Sequence, residues 1–211
     1  CIMRFVAILF FLCFFCFSFS KDHLFFASVS SQQKDSTSKE FCSEHPSLDS
    51  VYKKRLAFLD SKTPMDLCYN EKVHSYIDGY LGKNKRLISR MLALKHVYFP
   101  IFEQQLDQYE LPLELKYLAI VESSLNPRAK SGSGATGLWQ FMYLTGKDLG
   151  LEVNSYLDER QDPIKSTRAA CEYFLKLYNT FGDWSLVLAA YNGGPGYLQR
   201  KINSVCSNDF W

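Results

Sequence analysis

The chain has 211 residues, which is enough for one domain together with a leader segment. Apolar residues make up 47% of the chain, which is ample for a hydrophobic core. The formal net charge is only +2 and no basic tract is concentrated in one place, so the composition gives no indication of nucleic-acid binding.

The first residues are typical of a secretory signal. Arg4 precedes the run 5–19, which is almost wholly apolar and short for a membrane-spanning helix. We assign residues 1–20 to a signal peptide, although cleavage after Ala27 fits as well as cleavage after Ser20. We therefore expect an exported protein of the periplasm or cell envelope, with an outer-membrane anchor left open.

Seven cysteines occur in the chain. Lipid attachment at Cys13 or Cys16 is the less favoured interpretation, because bulky residues precede each of them. The four cysteines after the leader are Cys42, Cys68, Cys171 and Cys206. An even count in an exported protein permits two disulfides in three alternative pairings, and buried or unpaired thiols are an equal alternative.

A polar linker separates the leader from a helical region. Residues 21–47 are assigned to a flexible linker, since most of them are Ser, Gln, Lys and other polar residues. Apolar residues then recur at helical spacing, and we assign 48–112 to an N-terminal helical region. Pro100 is expected to bend or end a helix there, and Pro112 to occupy the first turn of the next one.

A helix is predicted over Leu113–Ser124, closed by Pro127. Its apolar face consists of Leu115, Leu118, Ala119 and Val121. Glu122 then lies in the last turn of a buried helix. Burial and the negative end of the helix dipole both raise the pKa of such a carboxyl group, as a general acid requires.

A loop of small residues follows Glu122, and the next acidic residue is Asp148. Small residues with a tryptophan and an amide nearby suit the close approach of a polar, ring-shaped ligand such as a sugar. Trp139 is interpreted as a core residue in preference to a sugar-stacking one. Structural roles are also predicted for the loop glycines and for one charged cluster: Gly132, Gly134, Gly137, and Asp158, Arg160, Asp162.

Two further helices complete the pattern. The first spans Ile164–Tyr178, and the second, Trp184–Tyr191, is short, apolar on nearly every side and capped by Asp183. No strand alternation, internal repeat or phosphate-binding loop is present in the sequence. The predicted fold class is therefore all-α.

Four segments closely resemble the catalytic core of lytic transglycosylases of glycoside hydrolase family 23, which cleave peptidoglycan. They are Glu122–Pro127, Ala129–Met142, Asp158–Pro163 and Ala189–Gly196. Their order and spacing agree with the family, and the resemblance covers about residues 113–211. The preceding stretch is similar to the membrane-bound murein transglycosylase D subgroup.

The resemblance implies a lysozyme-like helical domain at 113–211, preceded by an additional helical region. It implies that Glu122 protonates the glycosidic oxygen between N-acetylmuramic acid and N-acetylglucosamine, and then accepts the proton of the muramic acid 6-hydroxyl to leave a 1,6-anhydro end. Substrate-binding roles are implied for Ser131, Gln140, Met142, Tyr191 and Asn192. No metal or organic cofactor is expected, because proton transfer and an internal hydroxyl suffice.

Two alternatives stay open. Most glycosidases need two carboxylates, and intramolecular attack removes that need, so the acid-free run after Glu122 favours a transglycosylase. A muramidase that uses water remains possible if Asp148, Asp158 or Asp162 folds back towards the site. A non-catalytic glycan-binding domain is the other alternative.

The expected partner is the glycan strand of peptidoglycan, bound by a monomer with membrane association left open. In the resembling subgroup the domain continues past a Phe-Trp pair like Phe210-Trp211 into a further helix. We therefore expect the sequence to be truncated at its C-terminus.

Overall fold

The computed structural model describes residues 48–65 and 67–205, and this part of the chain is all-α, as predicted. The assignments of 1–20 and 21–47, and Cys42 and Cys206, lie outside the described residues. The described helices are α1 Leu48–Asp60, α2 Glu71–Leu81, α3 Lys85–Gln108, α4 Leu118–Ser123, α5 Tyr143–Asp148, α6 Pro163–Phe181, α7 Trp184–Gly193 and α8 Pro195–Val205, with 3₁₀ turns at Leu113–Tyr117 and Glu159–Gln161. Within the described ranges, no helix has the length and apolar character needed to cross a membrane.

The first two helices pack through apolar side chains. Leu56 on α1 and Val73 and Ile77 on α2 are almost completely buried. Asn70 caps α2, because its side-chain oxygen accepts the backbone N–H of Val73 at 3.0 Å. The predicted helical spacing of this region is confirmed.

Pro100 was predicted to bend or end its helix, and the second of these does not occur, because α3 passes through Pro100. The helix continues to Gln108 although Pro100 can donate no backbone hydrogen bond. Its faces on both sides of the proline are buried, with Met91 at 1% and Phe102 and Leu106 at 0% exposure. Burial of these side chains offsets the lost hydrogen bond, since each contributes about 2 kcal/mol.

The helix predicted over Leu113–Ser124 is two elements. A 3₁₀ turn occupies Leu113–Tyr117, and only then does α4 begin. Pro112 precedes the turn with a ψ of 127°, which is outside the helical range, so it flanks the element and is not in its first turn. The apolar pattern is the same for both geometries, and Leu115, Leu118 and Ala119 are buried as expected.

Helices α6 and α7 agree with prediction, and α8 was not predicted. The Asp162 side chain accepts the backbone N–H groups of Ile164 and Lys165 at the start of α6, and that of Asp183 accepts from Leu186 at the start of α7. Both are side-chain caps of the kind that satisfies unpaired donors at a helix start.

The core lies between α3, α6 and the loop that joins α4 to α5. The Trp139 ring contacts that of Phe102 at a centroid distance of 5.1 Å and that of Phe174 at 5.8 Å. Trp139 is fully buried, which confirms its core role. Of the two described cysteines, Cys171 is a buried free thiol and Cys68 an exposed one, so the unpaired interpretation holds for both.

Candidate active site

Glu122 lies in the last turn of α4, as predicted. The two residues that end the helix, Ser124 and Leu125, both have left-handed backbones, with φ of 53° and 60°. Side chains disfavour that conformation by about 1–2 kcal/mol per residue. Leu125 is completely buried and Ser124 N–H donates to the Ile120 carbonyl at 2.9 Å, so packing and capping hold the strained turn beside Glu122.

The Glu122 side chain is half-buried, and desolvation by burial raises the pKa of its carboxyl group. The electronegative end of α4 acts in the same direction. The protonated acid therefore persists to higher pH than in an exposed glutamate. That is the form from which a general acid donates its proton.

Tyr191, from the far end of the sequence, lies within the electrostatic range of Glu122. Burial is the main cause that raises the pKa of the Tyr191 phenol, and the negative charge of Glu122 is the next. The phenol donates a hydrogen bond to the Trp139 carbonyl at 2.7 Å, and its ring stacks on Phe174 at 5.2 Å. These two contacts fix the Tyr191 hydroxyl in place.

Gln140 has a left-handed backbone, with φ of 51°. Its side-chain nitrogen donates to the carbonyl oxygens of Ala129 at 3.2 Å and Gly137 at 2.9 Å. Both amide protons therefore hold the loop together. Only the amide oxygen of Gln140 is then available to a ligand, so a bound sugar would have to donate the hydrogen bond to it.

Ser131 stabilises the same loop. Its hydroxyl oxygen accepts the backbone N–H of Ala135 at 3.0 Å and lies 2.9 Å from the hydroxyl of Ser133. A sugar-binding role for Ser131 would have to compete with these bonds.

A structural role was predicted for the charged cluster of Asp158, Arg160 and Asp162. Its arginine holds the loop between α4 and α5. Arg160 is paired with Asp158 through two side-chain hydrogen bonds at 2.7 and 2.8 Å. Its other terminal nitrogen donates to the carbonyls of Gly134 at 3.1 Å and Phe141 at 3.0 Å. The structural role is confirmed, and the contact with the loop was not predicted, because nothing local in the sequence indicates which backbone carbonyls a buried arginine will reach.

Met142 and Asn192 are both exposed. Met142 precedes α5 and Asn192 lies in the last turn of α7. Both are accessible to a ligand, and neither is part of the core. Among the described residues, no three His, Cys, Asp or Glu side chains form a group that could hold a metal ion.

Comparison with known proteins identifies the family. The family described as "Transglycosylase SLT domain" matches residues 99–211, and the chain belongs to it. The match begins inside α3 and includes the loop, α4, α6 and α7, which together carry the candidate site.

Several named relatives are similar to this chain. Membrane-bound lytic murein transglycosylase D of Escherichia coli (strain K12) is 34% identical over 160 residues, covering 74% of this chain and 35% of that protein. A putative tributyltin chloride resistance protein of Alteromonas sp. (strain M-1) is 35% identical over 114 residues, 54% of each chain. The transglycosylase of Enterobacteria phage PRD1 is 33% identical over 115 residues, covering 48% of this chain and 41% of that one.

This chain therefore spans about a third of the length of the first of these relatives. Among solved structures, the 70 kDa soluble lytic transglycosylase SLT70 from Escherichia coli aligns with 76% of this chain and 28% of its own, at 22% identity and a TM-score of 0.47.

Proposed function

We propose that this protein is a peptidoglycan lytic transglycosylase that cleaves the bond between N-acetylmuramic acid and N-acetylglucosamine, with Glu122 as its general acid and base. The observation that carries the proposal is the half-buried carboxyl of Glu122, with its raised pKa, whose negative charge also acts on the phenol of Tyr191. Membership in the transglycosylase SLT family and the similarity to a lytic murein transglycosylase support the substrate class.

The proposed reaction needs one carboxyl group. Protonated Glu122 gives its proton to the glycosidic oxygen, the bond from that oxygen to C1 of the muramic acid breaks, and the other sugar leaves as an alcohol. The 6-hydroxyl of the same muramic acid attacks C1, and its proton passes to the Glu122 carboxylate. The products carry a 1,6-anhydro ring, no water is consumed, and the acid is regenerated.

The environment of the other acids supports a mechanism with one acid. Asp158 is paired with Arg160, which lowers the pKa of that carboxyl group, and the Asp162 side chain caps α6. The carboxylates of Asp158 and Asp162 therefore both have structural roles. Asp148 is exposed at the end of α5.

We assign substrate contacts to four residues and a supporting role to a fifth. Tyr191 and the accessible Met142 and Asn192 contact the glycan directly, and Gln140 offers its amide oxygen. Ser131 acts mainly by holding the loop, given its bond to Ala135.

The domain assignment and location are part of the same proposal. Residues 113–211 would form the catalytic domain and 48–112 a supporting helical region, in keeping with the buried contact between Phe102 on α3 and Trp139 in the loop. The protein would be exported by the leader and act as a monomer on glycan strands in the periplasm or at the cell envelope, with an outer-membrane anchor as the alternative to free release.

The test is mass spectrometry of the products from purified peptidoglycan, comparing the full protein with its Glu122→Gln variant. Muropeptides ending in 1,6-anhydro-N-acetylmuramic acid, one water lighter than hydrolysis products and absent with the variant, are expected. Reducing ends would indicate a muramidase instead. A folded protein that binds glycan and releases no product would indicate a binding domain.

A further inference from the structure

An exposed apolar surface borders the candidate active site at the start of α5. Met142, Tyr143 and Leu144 follow one another there, and all three are exposed, Leu144 to 71%. The residue before them, Phe141, is buried, and the centroid of its ring lies 6.1 Å from that of Tyr191. The exposed residues therefore begin one position after a direct contact with the candidate site.

The backbone at the start of α5 is fixed although its apolar side chains are exposed. The N–H of Gly146 donates to the Met142 carbonyl at 2.9 Å, and the N–H of Leu151 donates to the Gly146 carbonyl at 2.9 Å. Gly146 is buried, and a Cβ atom there would lie 3.0 Å from the side chain of Arg160. A ligand would thus meet a preformed surface, which lowers the entropic cost of binding to it.

A positive charge lies on the same face of α5. Lys147 is four positions after Tyr143, and its ammonium nitrogen lies 5.6 Å from the centroid of the Tyr143 ring. Lys147 is exposed, and among the described residues no carboxylate forms an ion pair with it. Asp148 is the next residue, but consecutive residues of a helix do not face each other. The cation is therefore available to an anionic ligand that packs against the ring.

A ring beside a cation suits a ligand that has both an apolar part and a carboxylate. Peptidoglycan carries such a group next to its sugars, since the peptide stem on the lactyl group of muramic acid has alkyl side chains and free carboxylates. The acetylated sugars of the strand itself are neutral and would make no use of Lys147. Charge complementarity therefore favours the stem over the bare glycan as the group bound here.

We propose that Tyr143 and Lys147 bind the peptide stem of the strand that is cleaved, with the Tyr143 ring packed against the stem and the Lys147 ammonium paired with a stem carboxylate. The inference rests on the proposed function and adds a substrate preference to it. Both residues act on substrate affinity, and neither takes part in proton transfer.

The test uses soluble glycan strands in two forms. The stem amines are acetylated in both, and the stem carboxyl groups are either left free or converted to methylamides. Cleavage and binding of the two strands are compared for the full protein and for Lys147→Met, Lys147→Arg and Tyr143→Ala. Methionine keeps an unbranched apolar chain and removes the charge, whereas arginine keeps the charge.

The matched control is Lys62→Met. The Lys62 ammonium also lies over an exposed ring, that of Phe58 at 4.7 Å. This second pair is at the end of α1, outside the elements that carry the candidate site. It therefore reports what loss of a lysine over a ring does when no stem is bound there.

Two readouts are used. The kcat/KM of cleavage is measured on both strands, and affinity for the same strands is measured by calorimetry in proteins that also carry Glu122→Gln. The wild type should prefer free carboxyl groups by about two- to fivefold, the effect of an exposed ion pair, mainly through KM. Lys147→Met should remove this preference, and Lys147→Arg and Lys62→Met should keep it. Tyr143→Ala should weaken binding of both strands by about fivefold.

A preference that survives in Lys147→Met, or that is lost equally in Lys62→Met, overturns the proposal. So does a wild type that binds and cleaves the two strands alike, or an unchanged affinity of Tyr143→Ala for both. Absence of cleavage by the wild type would refute the proposed function, and the affinities would still decide whether the stem is bound at Lys147.

Discussion

Gly137 lies directly against the carbonyl oxygen of Arg160. A Cβ atom added to Gly137 would be 1.8 Å from that oxygen, and the residue also has a φ of +89°. The loop that carries Gln140 can therefore reach the backbone after Asp158 only with glycine at this position. The side chain of Arg160 also holds the loop, because it donates hydrogen bonds to the carbonyls of Gly134 and Phe141.

Gly137→Ala should disrupt this contact. The clash is with backbone atoms that cannot rotate away, so we expect a loss of about 3 kcal/mol or more in the free energy of unfolding, with loss of any cleavage activity. Chemical denaturation monitored by circular dichroism measures this loss in the free energy of unfolding. The control is Gly132→Ala, because nothing lies within 4 Å of a Cβ there; similar losses in the two variants would contradict the role of Gly137.

Arg160→Ala should destabilise the protein through the same loop. The Arg160 side chain is 6% exposed, and its removal takes the guanidinium charge from Asp158 and one hydrogen-bond donor from each of two loop carbonyls. Breaking such a pair costs about 3–5 kcal/mol. Urea unfolding should show this loss, and Arg168→Ala, whose side chain is 64% exposed beside Glu172, should change stability by less than about 1 kcal/mol. Equal effects at the two arginines would show that burial of the pair has no consequence.

The features that sequence could predict are those whose cause is local. The cap Asp183 was predicted because its side chain bonds its own first turn, and the place of Glu122 because an apolar run and Pro127 define its helix end. Of the two effects predicted for Pro100, a helix end does not occur, because packing on both sides of the proline carries α3 on to Gln108.

The hydrogen bonds that hold Tyr191 and Trp139 in place could not be predicted, because their partners are distant in sequence. Tyr191 bonds Trp139 across 52 positions, and Trp139 bonds Thr167 across 28. Residue types indicate that a buried phenol or indole needs a partner, but only the fold decides which carbonyl or hydroxyl is within reach.

Asp183→Ala should weaken α7, the helix that carries Tyr191. Its side chain accepts the backbone N–H of Leu186 at 2.8 Å, and loss of such a cap costs about 1 kcal/mol. We expect thermal unfolding at lower temperature, with Asp183→Asn close to the wild type, because asparagine caps equally well. An asparagine variant as unstable as the alanine variant would mean that charge matters here and capping does not.

Glu122→Gln should separate the chemical role of the carboxyl group from its effect on stability. The folded-state pKa of Glu122 is raised above its ordinary value of 4.5, so folding favours the protonated acid and stability is lost as pH rises through the folded pKa. Glutamine is neutral at every pH and keeps the shape. Thermal unfolding should therefore be similar for the two proteins near pH 4, and the variant should be the more stable at pH 8. Cleavage should fall by about 100-fold or more at all pH values, since a general acid contributes at least that factor. Wild type and variant with the same pH dependence of stability would show that Glu122 ionises as an exposed glutamate does, and the proposed general acid would lose its physical basis.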